Sequence, residues 1–179
     1  MLAFGDALAI ACLEARGFGQ EDFARSHPAG ALGRKLLTRV SDVMRSGDAI
    51  PRVPSTATVM DALHEITRKQ LGMTAVLDEQ GALAGIFTER DYARKVVLRG
   101  LNPKNTPVGD LMTGTLITVD QAWTADQCMA VMTEHHIRHL PVLEGDQVLG
   151  VVSIGDAVKA VVDEQHFVIG QLTRYISQT

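Results

Sequence analysis

Two seven-residue turns carry the clearest chemistry in the chain. Gly85-Ile86-Phe87-Thr88-Glu89-Arg90-Asp91 and Gly150-Val151-Val152-Ser153-Ile154-Gly155-Asp156 both read Gly-x-x-(Ser/Thr)-x-x-Asp. Each falls where a strand pattern gives way to a helix pattern, so a hydroxyl and a carboxylate are gathered at a helix start whose first amides have no partner within the helix. A glycine before them lets another group approach the backbone. A carboxylate repels phosphate but accepts well from a vicinal diol. The set Thr88, Asp91, Ser153 and Asp156 therefore suits ribose hydroxyls, with the hydroxyl side chains shared between ribose and phosphate. The same spacing is also that of a helix cap with no ligand at all. Recurrence in register keeps the ligand reading beside the cap reading.

The run Ile137-Arg138-His139-Leu140-Pro141-Val142 places a guanidinium and an imidazole at the mouth of a strand. Arg138 offers paired donors to phosphate oxygens, and His139, if protonated, adds a charge-assisted one. The corresponding positions of the earlier segment are Gly72 and Met73, so two pockets built this way must differ. Arg90, Arg94 and Lys95 stand ready to supply compensating charge, or simply form a solvated helix face. Glu134, His135, His136 and His139 invite a metal, since imidazoles at i and i+4 share a helical face, but His139 falls beyond the helix and no metal site is assigned. Neither a phosphate-binding Gly-x-x-x-x-Gly-Lys-(Ser/Thr) loop nor a Gly-x-Ser-x-Gly elbow is present. With no nucleophile, base and orienter in view, no catalytic residue is assigned.

The elements that must position these residues occur twice. Val40-Ser41-Asp42-Val43-Met44 is echoed by Val108-Gly109-Asp110-Leu111-Met112. Each echo leads into a short strand ending at Val53 or Val119, then a helix opened by Thr58 or Thr124 with Asp61 or Gln127 three residues on, a capping-box pattern. Two strands follow in each copy, 74–77 and 83–88, then 140–143 and 148–153, joined by turns rich in Gly and acidic residues, and a second helix begins near Arg90 or Gly155. The order predicts a mixed α/β (α+β) fold of two strand-helix-strand-strand-helix (βαββα) repeats. A single copy of roughly 60 residues buries too little surface to be secure alone, so the two should pack about a pseudo-twofold axis, sheet to sheet, with a cleft between them. The stretch 100–107, with Gly, two Asn and two Pro, reads as the linker, and the chain divides into 1–39, 40–99, 100–107 and 108–179. A long terminal helix over 156–175 carries Val158, Val161, Val162 and Ile169, a face for the core or for a partner.

Composition narrows the classes of function. The 179 residues include 17 Lys+Arg against 21 Asp+Glu, for a formal net charge of -4, so no cationic field favours nucleic acid. Apolar residues make up 46% and charged ones 21%, as in a globular domain. The two cysteines, Cys12 and Cys128, lie far apart in apolar runs, fitting reduced core thiols. The opening residues have no basic region before an apolar run, and no stretch approaches the ~20 apolar residues of a membrane span. A cytoplasmic protein is the simplest expectation.

On these residues the stretch from 40 to about 163 resembles a tandem pair of CBS domains. The resemblance implies a regulatory cleft for an adenosine nucleotide (AMP, ADP, ATP, or in some members NAD or S-adenosylmethionine) as ligand, no obligatory cofactor, and association of pairs into homodimers or tetramers. Carried over by position, it implies Asp91 and Asp156 on ribose, Thr88 and Ser153 on ribose or phosphate, Arg138 and His139 on phosphate, and the base near Ile50 to Val53 and Ile117 to Val119. Arg90 completes the candidate set.

The N-terminal text, Gly5-Asp6-Ala7-Leu8-Ala9, Ala15-Arg16-Gly17-Phe18 and Ser26-His27-Pro28-Ala29-Gly30-Ala31-Leu32-Gly33-Arg34-Lys35-Leu36, resembles the end of the sugar-isomerase domain of arabinose-5-phosphate isomerases, a likeness running to about Thr88. His27 matches a histidine important for catalysis there, but its Lys and Glu partners are not in this chain. From Glu89-Arg90-Asp91 onward the text resembles stand-alone bacterial CBS-pair proteins. The expectation is therefore a nucleotide-binding module without chemistry of its own. The alternatives are a non-catalytic isomerase fragment and a ligand-free dimerisation module.

Overall fold

The structure, a computed structural model, describes residues 38–177. The helical extension expected over 1–39, with Cys12 and His27, lies almost wholly outside that range. Each repeat builds one three-stranded sheet. In the first, β2 (Arg52–Pro54) runs parallel to β3 (Met73–Leu77), which pairs antiparallel with β4 (Leu83–Thr88). In the second, β5 (His139–Glu144) and β6 (Gln147–Ser153) are antiparallel, and Val119 makes the parallel contact through a bridge to Val142. Helix α2 (Val59–Lys69) covers the first sheet and α4 (Ala125–Glu134) the second. Their starts are set by the expected capping boxes. Thr58 Oγ1 accepts from the Asp61 amide at 3.2 Å while Asp61 Oδ2 accepts from the Thr58 amide at 3.0 Å, and Thr124 and Gln127 repeat the exchange.

The repeats are clasped as well as stacked. After the single turn α1 (Val40–Val43), the two-residue strand β1 (Arg45–Ser46) crosses to the far repeat and pairs antiparallel with β6, Arg45 opposite Val151 and Ser46 opposite Gly150. The equivalent segment of the second repeat returns the exchange: Thr113 and Ile86 of β4 trade amide–carbonyl bonds at 2.8 and 3.0 Å. Apolar burial follows the same plan. Phe87, Ile66 and Val76 sit in the core of the first repeat, and Leu140, Met132 and Cys128 in that of the second. A third cluster, Ile50, Leu71, Met73 and Val151, joins the two. The expected single shared core is thus two cores and a seam. Burial pushes the Cys128 thiol up to about 11, which leaves it a packing residue.

The clasp also explains the two motif glycines. A Cβ on Gly85 would lie 2.7 Å from both Met112 Sδ and the Thr113 carbonyl, and one on Gly150 would collide with Met44 Sδ and lie 2.9 Å from the Arg45 carbonyl. The group that comes close to these glycines is therefore the crossing segment of the other repeat, not a ligand as the sequence reading had it. After β4 the helix α3 (Glu89–Asp91) continues as a π-helix over Tyr92–Val97. After β6, α5 (Ile154–Ser177) runs for 24 residues. Among the described residues no helix is long and apolar enough to cross a membrane.

Candidate functional site

Helix α2 is capped by Gln70 in the left-handed region at φ 52°, and the residue after the cap of α4, His136, has φ 53°. This tight reversal turns the chain into β3 or β5 and leaves the reversal's carbonyl facing the other repeat. Beside His136, a cleft of about 280 Å³ opens between the repeats. Thr88, Glu89, Arg90 and Asp91 line it from the first repeat, and His136, Ile137, Arg138 and His139 from the second. Gly72, Ile86 and Thr113 complete the wall. Five residues singled out in two separate stretches of sequence, Thr88, Arg90, Asp91, Arg138 and His139, thus meet at one place.

The polar groups of the cleft are of two kinds. Asp91 Oδ2 accepts from the Thr88 amide at 3.0 Å and the Thr88 hydroxyl at 2.7 Å, while the Asp91 amide donates to Thr88 Oγ1 at 3.1 Å. Asp91 Oδ1 holds Lys95 Nζ at 2.8 Å, and Lys95 also donates to the Leu111 carbonyl and to Thr113 Oγ1. A carboxylate accepts about four hydrogen bonds, so roughly one position on Asp91 remains for an incoming hydroxyl. The cap reading and the ligand reading of this motif are thereby compatible. The cations are Arg90 and Arg138: Arg90 Nη1 donates to the His136 carbonyl at 3.2 Å across the repeat boundary. The Arg138 guanidinium has no hydrogen-bond or ion-pair partner among the described residues.

His139 lines the cleft as a partly buried side chain. Burial pushes its imidazole down to about 4, against the opposing pull of the Asp156 carboxylate, so it is neutral at physiological pH and adds no positive charge for a phosphate. It packs instead against the seam: a Cβ on Gly72 would lie 3.4 Å from His139 Cε1.

Ser153 and Asp156 form the matching cap, with Asp156 Oδ2 accepting from the Ser153 hydroxyl at 2.6 Å and amide at 3.1 Å. They stand apart from the first cleft and face Arg45, whose Nε is 3.7 Å from Asp156 Oδ2. Arg45 Nη1 also donates to the Lys69 and Gln70 carbonyls at 3.2 and 3.3 Å. Ile117 and Val119 are not among the lining residues of the cleft. Val119 is in the second core and Ile117 packs against that core, since their segment completes the second sheet. Sequence reasoning missed Thr113 and Arg45 as contributors. The signal was present in the echo of 40–44 by 108–112, because both residues immediately follow the echoed methionines. Among the described residues no three His, Cys, Asp or Glu side chains converge on a point that could hold a metal.

Comparison with known proteins agrees with this architecture. The family model described as CBS domain matches residues 40–98 and 108–163. The arabinose 5-phosphate isomerase KdsD of Yersinia pestis is 49% identical over 159 residues, 89% of this chain and 48% of that protein. An alignment of that extent runs through residue 88 into the second repeat, so the isomerase likeness is not confined to the N-terminal side. The chain spans about half the length of the curated relatives it matches. A CBS-domain protein from Burkholderia ambifaria is 42% identical with a TM-score of 0.66, covering 72% of this chain and 96% of that one. CBSX2, solved in complex with AMP, shares the fold at 23% identity and a TM-score of 0.61, over 72% of this chain and 98% of its own.

Proposed function

The chain belongs to the CBS domain family, and from that membership and the shape of the inter-repeat cleft we propose that it is a regulatory module that binds an adenosine nucleotide and performs no reaction itself. One observation carries the reading: Arg90 and Arg138, from different repeats, line a cleft of about 280 Å³ together with Thr88 and Asp91. Guanidiniums suit a phosphate and the carboxylate–hydroxyl pair suits ribose, so the lining holds both kinds of partner that a 5'-nucleotide requires. The volume is near the lower bound of ~300 Å³ for small-molecule sites, which fits one nucleoside phosphate in this cleft. AMP, held by CBSX2 on the same fold, is a ligand of that size.

Because the ligand touches both repeats, it shifts their relative placement by as much as its contacts differ between the arrangements. Domain limits of 40–99, 100–107 and 108–179 belong to the same proposal, as does a cytoplasmic setting, where free nucleotide is available as a signal. Pairing into homodimers or tetramers fits the exposed Val158, Val162 and Ile169 along α5. Titration calorimetry with AMP tests the site. Arg138→Ala should weaken binding about 30-fold, the worth of a hydrogen bond to a charged group, and unchanged affinity in both Arg138→Ala and Asp91→Ala overturns the assignment.

A second reading, the non-catalytic part of an arabinose 5-phosphate isomerase, is favoured by the 49% identity to KdsD over 159 residues. An isomerase assay of this chain should be silent under either reading, and turnover would overturn both.

A further inference from the structure

Lys95 is neither a spare cation for phosphate nor part of a solvated helix face. Its ammonium has three donors, and each is placed: on Asp91 Oδ1 at 2.8 Å, the Leu111 carbonyl at 2.8 Å and Thr113 Oγ1 at 3.1 Å. Asp91 belongs to the motif turn of the first repeat and Thr113 to the crossing segment of the second, and both line the cleft. Lys95 joins these two walls without being a lining residue itself. An ammonium only donates, so it fills the acceptor side of the Thr113 hydroxyl and leaves the hydroxyl proton for another partner. Among the described residues nothing accepts that proton. Asp91 presents the complement: Thr88 occupies Oδ2 twice and Lys95 occupies Oδ1 once, so the remaining acceptor position is on Oδ1. An open donor and an open acceptor thus hang from one nitrogen. The second repeat has no such arrangement. Four residues after Asp156 stands Ala160, packed against the second core, and the cation beside Asp156 is Arg45, the residue equivalent to Thr113. There the crossing segment supplies the charge and has no hydroxyl to offer; at the first end the helix supplies it, which leaves that position to Thr113.

Resting on the nucleotide reading of the cleft, we propose that Lys95 is a positioning residue, holding Asp91 and Thr113 as an acceptor–donor pair for one ribose hydroxyl. A hydroxyl both donates and accepts, so a single one satisfies the pair, giving its proton to Asp91 and accepting that of Thr113. Without Lys95, the Thr113 hydroxyl is free to turn onto Asp91 or the Leu111 carbonyl, the two other acceptors of the same nitrogen, and the pair closes on itself. A sugar lacking the hydroxyl offers neither half of the exchange and leaves both protein groups unpaired, which is how a site rejects an analogue one oxygen short.

AMP and 2',3'-dideoxy-AMP are the probes, because they share base and phosphate and differ only in the sugar hydroxyls. In titration calorimetry of the unaltered chain, AMP should bind about 30-fold more tightly than the dideoxy compound. Lys95→Met keeps the length of the side chain and should cut that ratio to within about threefold. Thr113→Val keeps the shape and the backbone pairing with Ile86 and should lower the ratio about fivefold, with melting temperature as the check on folding in both variants. A Lys95 that merely supports the fold, or attracts the phosphate, would weaken both ligands alike and leave the ratio where it was. Equal affinities in the unaltered chain, or a ratio unmoved by either substitution, overturns the proposal. Absence of binding by AMP and its dideoxy analogue alike would instead overturn the nucleotide reading beneath it.

Discussion

The two ends of the pseudo-twofold seam use an arginine on the same kind of acceptor, yet draw it from unrelated places. In the open cleft, Arg90 reaches from the motif turn of the first repeat to the carbonyl of His136, the left-handed residue after the cap of α4. At the other end, Arg45 reaches from the crossing strand to the carbonyl of Gln70, the left-handed residue that ends α2, and takes the Lys69 carbonyl and a position beside Asp156 as well. Where the first end has Arg90, Arg138, His139 and Thr113, the second has Gly155, Gly72, Met73 and Arg45. One end therefore keeps cations facing a cavity, and the other spends its cation on the protein's own acceptors. The two copies thus carry one open cleft and one internal brace, a difference marked by four side chains at equivalent positions.

The largest expected effects test what the ends have in common. Gly85→Ala and Gly150→Ala should each lower stability by about 2–3 kcal/mol in urea unfolding, because the added methyl meets the backbone carbonyl of the crossing segment as well as a methionine tip. A loss at one glycine and not the other would mean that the clasp is not reciprocal.

The next effect separates the ends by pH. His139 takes up a proton near pH 6.5 in the unfolded chain but only near 4 in the folded one, so the native state is favoured above the higher value and loses that advantage as the pH falls between the two. Stability should drop by about 2–3 kcal/mol across that window, and His139→Met, which installs the residue of the first repeat, should flatten the slope. A slope equally steep in the variant would assign it elsewhere.

The smallest effect concerns the brace. Arg45→Thr copies the residue of the open end and removes a half-exposed ion pair at 3.7 Å, so unfolding should change by less than about 1 kcal/mol. A loss of several kcal/mol would make Arg45 a core support and weaken the contrast drawn between the ends.

Local patterns in the sequence were enough to read the repeat, the capping boxes at Thr58 and Thr124, and the strand–turn–helix steps, since each depends on neighbours within a few residues. The grouping of Thr88, Arg90 and Asp91 with Arg138 and His139 was not legible, because it depends on how two copies dock. Nor was the fate of the motif glycines: a glycine beside a ligand and one beside a crossing strand look identical in sequence, and only the position of Met112 and Met44 distinguishes them. The packing of Ile117 and Val119 was illegible for the same reason, as an apolar segment next to a cleft and one completing a sheet share the same composition.

The crossing strand has a consequence for synthesis. Arg45 cannot meet Val151 until 106 further residues have been added to the nascent chain. At ~5–20 residues per second this leaves β1 without its partner strand for roughly 5–20 s. The seam beside the cleft is thus completed last, and its closure marks the moment at which the two repeats first face each other as a pair.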